Sequence, residues 1–79
     1  MESKVYRQAV DITRDYLGPA AERFLSRQIT FHLKKDPRYL TNSDIPGLAE
    51  WVKVSIAILS EDRKMVDEFS KRIMSLAGK

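Results

Sequence analysis

Between Asp15 and Gln28 the chain reads DYLGPAAERFLSRQ, which sets a Gly-Pro pair in the middle of a helical pattern. Glycine reaches positive φ without strain and so can end a helix. A proline directly after it suits the first turn of the next helix, where its missing N–H would have no partner. Upstream, Val5, Ala9, Ile12 and Tyr16 recur at helical spacing with Thr13 on the same face, which predicts an amphipathic helix over Glu2–Leu17. Downstream, Ala21, Phe24, Leu25, Ile29 and His32 form the apolar stripe of a second helix over Pro19–Lys34. A left-handed Gly18 makes the pair a corner between two helices. The alternative is one long helix kinked at Pro19.

The longest connection, DPRYLTNSDIPG, is rich in turn formers, and Asp36-Pro37 forces the extended backbone that ends the second helix. Ser43 or Asp44 is expected to cap a third helix that has Pro46 in its first turn and runs to about Leu59. Ser60 is expected to cap a fourth, with Glu61 and Asp62 favourable against its N-terminal dipole and Val66, Phe69, Ile73 and Leu76 as its apolar stripe. Asp67 with Lys71, and Glu68 with Arg72, fall four apart in the orientation that favours ion pairing. Strand-like alternation and internal repeats are absent. The fold class is therefore all-α: a small four-helix bundle, or three helices if the first two are one kinked helix, in a single domain over residues 1–79.

Composition narrows the chemistry. With no cysteine and one histidine, disulfides, thiolate sites and multi-histidine metal sites are excluded, and no metal or cofactor is expected. The three glycines, at 18, 47 and 78, are scattered rather than gathered into a phosphate-binding loop. The single histidine has no nucleophile or acid beside it in sequence, so no enzyme is expected. No apolar run approaches the roughly 20 residues of a membrane span, and MESKVYRQ lacks the apolar core of a signal peptide, so a cytoplasmic protein without membrane contact is expected. At 79 residues a single core is near the size at which a second copy often supplies missing burial.

Three features are candidates for function. The third helix has one stripe, Leu48, Val52, Ser55, Ile56 and Leu59, and a second apolar side at Trp51, Val54 and Ile58. Two apolar faces need two partners. Either this helix is central and covered on both sides, or Trp51, Val54 and Ile58 form a homodimer or protein-partner interface, in which Trp is a favoured anchor. On the second helix, Arg23, Arg27, Thr30 and Lys34 share one side, with Lys35 and Arg38 close by. The segment Gly18 to Lys35 has four cations, Arg23, Arg27, Lys34 and Lys35, against one carboxylate, Glu22, a local charge of +3. Such a stripe suits phosphates or an acidic protein surface, or is an ordinary solvated face. Gln28 and His32, four apart within the apolar stripe, read as a partly buried hydrogen-bonded pair at the bundle's edge; the alternative is a pH-sensitive or ligand-contacting site.

Tyr16-Leu17-Gly18-Pro19-Ala20-Ala21, followed by Phe24-Leu25 and, after the linker, a helix with Leu48-Ala49, resembles a small helical module at the C-terminal ends of some bacterial signalling proteins, such as serine/threonine kinases. The resemblance covers about 60 residues, and Ala20 stands where that pattern has a larger aliphatic. It implies a regulatory or docking role and assigns no catalytic residue. The reading is a self-associating protein-interaction module, with a small nucleic-acid-binding protein using the basic stripe as the alternative.

Overall fold

A computed structural model describes residues 3–78, and every regular element among them is helical. The main helices are α1 (Lys4–Leu17), α2 (Ala21–Gln28), α3 (Ile45–Leu59) and α4 (Arg63–Met74). Tight 3₁₀ turns occupy Gly18–Ala20, Pro37–Tyr39, Asn42–Asp44 and Ser75–Gly78, and a π turn, Ile29–Leu33, extends α2. The all-α class read from periodicity is the class that forms.

The Gly-Pro corner exists. Gly18 has φ 58° and ψ −132°, and its N–H donates to the Arg14 carbonyl, closing α1. This is positive φ, as expected, but lies outside the left-handed helical basin. Pro19 sits in the first turn of the following helix. Helical turns continue through the corner, so α1 and α2 count as one bent rod and the molecule has three. The bend is sharp: thirty residues of straight helix would span about 45 Å at 1.5 Å per residue, whereas the longest dimension is 35 Å. Glu2, at the expected start of α1, lies outside the described residues; Ser3 caps the helix by accepting from the Tyr6 N–H.

Each main helix packs chiefly on two others, in the cyclic order α1, α2, α3, α4. Leu25, Ile29, Ile45, Leu48, Val52, Ile56, Phe69 and Ile73 are wholly buried between them. In α1 the buried face is Val5, Tyr6, Ala9, Val10 and Thr13, while Ile12 and Tyr16 are half-buried. The expected stripe is thus displaced toward Tyr6 and Val10, because α2 folds back onto that side of α1. Thr13 is the one buried polar residue among those described, and its Oγ1 donates to the Ala9 carbonyl at 2.7 Å.

Several boundaries differ from expectation, through a backbone conformation in one case and competing hydrogen bonds in the others. The second helix stops at Leu33, before Asp36-Pro37, because Lys34 takes a left-handed conformation at φ 57°. The start of α3 is organised by Thr41 rather than by Ser43 or Asp44 alone. Thr41 begins a 3₁₀ turn, and its N–H and Oγ1 both donate to Asp44 Oδ2, at 2.9 and 3.0 Å. Pro46 occupies the first turn, as expected. Asp62 rather than Ser60 caps α4, accepting from the Met65 N–H at 3.1 Å. Ser60 is held in extended backbone as the C-cap of α3, and its Oγ accepts from the Asp62 N–H.

The two expected ion pairs within α4 are replaced by contacts between helices. Asp67 meets Lys53 of α3 at 3.8 Å. Arg72 Nη2 donates to Asp15 Oδ2 at 2.8 Å and Nη1 to the Tyr16 hydroxyl, which itself donates to Glu68 Oε1 at 2.7 Å. The Tyr16 ring stacks on Phe69 with centroids 4.7 Å apart, so the end of α1 is fixed to α4 just before the corner. Burial pushes the Tyr16 phenol above its ordinary range; Arg72 opposes this and Glu68 adds to it.

Candidate functional site

The cyclic order leaves α3 with α2 on one side, α4 on the other and nothing beyond its outer face. Trp51 is 40% exposed, Val54 49% and Ile58 80%, and Leu59 at the end of the helix is 72% exposed. Neighbouring helices therefore leave much of Val54 and Ile58 uncovered and cover Trp51 only in part. Gly47 and Ala57 are exposed too, but a Cβ at Gly47 would lie 3.4 Å from Leu33 Cδ2, and Ala57 lines a groove toward α4 with Lys53 and Val66.

The π turn of α2 extends this face. Its wider backbone turns each residue through less than the α-helical angle, so His32 leaves the inward stripe and joins Phe31 outside it. Phe31 is 59% exposed, and His32 is also exposed rather than part of the core. His32 stacks on Trp51 with centroids 3.9 Å apart and planes 8° from parallel, which holds the indole in one orientation. Gln28 and His32 are not bonded to each other. Each turns to α3: Gln28 Oε1 accepts from Ser55 Oγ at 2.9 Å, and His32 takes the indole. Periodicity could place Gln28 and His32 on one face, but their partners lie 19 to 27 residues away in sequence.

The basic stripe is divided. Lys35 Nζ donates to Asp44 Oδ2 at 2.7 Å, and Arg38 clasps Asp36 through Nε and Nη2. Hydrogen bonds from Arg38 hold the Asp36 carboxyl below its ordinary range, and Asp36 raises Arg38 in return. For Asp44, burial pushes the carboxyl up, but bonds from Lys35 and Thr41 outweigh it and hold the group low. Arg23, Arg27 and Lys34 have no ion pair among the described residues. Arg27 lies over the Phe31 ring at 5.9 Å. Lys34 is the left-handed residue that ends the π turn, apart from the helical row formed by Arg23 and Arg27.

Among the described residues no group of three His, Asp or Glu side chains is placed to hold a metal ion. No helix among them is long and apolar enough to cross a membrane. Comparison with protein-family models, curated proteins and solved structures finds no match for this chain.

Proposed function

We propose that the chain is a protein-interaction module that self-associates through the outer face of α3, in a cytoplasmic regulatory setting rather than as an enzyme. The observation that supports this most directly is the exposure of Trp51, Val54 and Ile58 at i, i+3 and i+7 on one helix. Exposed apolar area joined into one stripe is the mark of an interface, whereas scattered apolar side chains are ordinary surface. Trp51 is held by His32 before any partner arrives, so its ordering costs little at association. The regulatory setting rests on the resemblance of the Tyr16–Ala21 run to the helical module of bacterial signalling proteins.

Nucleic-acid binding is the weaker reading, because Lys35 and Arg38 are neutralised within the chain. Light scattering after size-exclusion chromatography tests self-association. Wild type should be dimeric at high micromolar concentration, and Trp51→Ala should weaken the dimer by about 2 kcal/mol or more, roughly 30-fold in Kd. Val54→Asp should abolish it. A strictly monomeric wild type would overturn the reading.

A further inference from the structure

Beside the α3 stripe, between α2 and the last turn of α3, lies a groove of about 450 Å³. Phe24, Phe31, Ile58 and Leu59 supply its apolar lining, and Arg23 and Arg27 its charge. We infer that this groove docks an acidic amphipathic helix of a partner protein, on a surface that shares Ile58 with the α3 stripe but does not need the dimer in order to bind.

Charge complementarity selects the occupant. Lys35, Arg38 and Arg72 all have a carboxylate within 2.9 Å, whereas Arg23 and Arg27 have none within ion-pair reach among the described residues. Four residues apart on one helix, their Cβ atoms stand about 6 Å from each other. Two carboxylates four apart on a docked helix have the same spacing, and each guanidinium can grip a carboxylate through two N–H groups.

The lining sets the rest of the chemistry. Of its uncharged polar members, Gln28 and Ser55 are bonded to each other and His32 has its ring stacked on Trp51, so most of the remaining lining, Ala20, Phe24, Phe31, Ile58 and Leu59, asks for apolar groups. Along α2 the groove runs from Ala20 to Phe31, about 16 Å at 1.5 Å per residue, or three helical turns. That length takes apolar anchors at i, i+4 and i+7, the usual pattern of a helix seated in a groove. Two unpaired arginines are too few to hold a duplex by its phosphates: the log–log salt slope would be only about −1.8.

The test is fluorescence anisotropy with a labelled 16-residue helical peptide carrying Leu at i, i+4 and i+7 flanked by Glu, beside the same peptide with Lys in place of Glu. The full-length chain should bind the Glu peptide saturably and at least ten-fold more tightly than the Lys peptide. Arg23→Glu combined with Arg27→Glu should reverse that preference, with circular dichroism confirming the helical fold. Equal affinity for the two peptides, no binding of either, or binding unmoved by the double variant would overturn the inference. So would tighter binding of a 20-base-pair DNA duplex or of phosphatidylserine vesicles that the double variant loses. Ile58 belongs to both surfaces, so dimer and peptide compete for it, whereas Val54 does not line the groove: Val54→Asp should lose the dimer and keep peptide binding, which tells failure of the groove from failure of self-association.

Discussion

Tyr16 and Trp51 are both large aromatic residues stacked on a second ring, and they end in different situations. Tyr16 lies on Phe69, with its hydroxyl between Glu68 and Arg72 and with Asp15 on the far side of that arginine. Trp51 lies on His32, and beyond it are Val54, Ile58 and solvent. On the α1–α4 side the chain supplies the ring, the acceptor and the cation. On the α2–α3 side it supplies one ring and leaves much of the apolar stripe exposed. Packing has been completed within the chain on one side and left for a partner on the other.

Truncating an apolar side chain on each side should expose that difference most strongly. Phe69→Ala removes a wholly buried ring from beneath Tyr16 and should cost about 3–5 kcal/mol. Ile58→Ala, on the open face, should stay within about 0.5 kcal/mol of wild type under conditions where the chain is monomeric. Urea midpoints measured in parallel check both. A large loss at Ile58 in the monomer would mean that the open face already helps to hold the fold.

The corner should give an intermediate effect. A Cβ at Gly18 meets no atom within 4 Å, so the loss in Gly18→Ala is conformational rather than steric. Holding a non-glycine residue at φ 58°, ψ −132° should cost about 1–3 kcal/mol. An unchanged or raised denaturation midpoint would show that the chain can leave this conformation freely, and that the corner does not set how α2 is presented.

The smallest effect concerns the polar contacts at the start of α3. Asp44 is held below its ordinary 3.8 by Lys35 and Thr41 despite burial pushing it up. A carboxyl with a lowered folded pKa stabilises the fold above its unfolded value, and that contribution disappears as pH falls through the folded value. Wild type should therefore lose more stability than Asp44→Asn as pH is taken from 5 down through and below about 3.8. Parallel acid titrations of the two proteins would break this account.

On both sides the apolar residues were legible in the sequence, and the contacts between helices were not. The stripe Val66, Phe69, Ile73 and Leu76 could be read off directly, and all four residues are buried. The local pairing rule placed Glu68 with Arg72, yet both turned to Tyr16, because a partner from another helix offered better geometry than the next turn of the same one. Helical periodicity placed His32 in the apolar stripe, as a partly buried partner of Gln28 at the bundle's edge. A π turn moved it out, and no residue in ITFHL announces an extra-wide turn.

What the sequence determined by itself is local: helix periods, the Gly-Pro corner, Pro46 in the first turn of α3, the absence of thiol chemistry and the presence of two apolar sides on one helix. These follow from backbone preferences and side-chain spacing, which act over a few residues. The tertiary structure alone decided which apolar side of α3 stayed uncovered, which cations were neutralised and which ring held Trp51. Those outcomes depend on residues brought together from distant parts of the chain. They were set when Gly18 folded α2 back beside α1 and the cyclic packing order left one face of α3 without a neighbour.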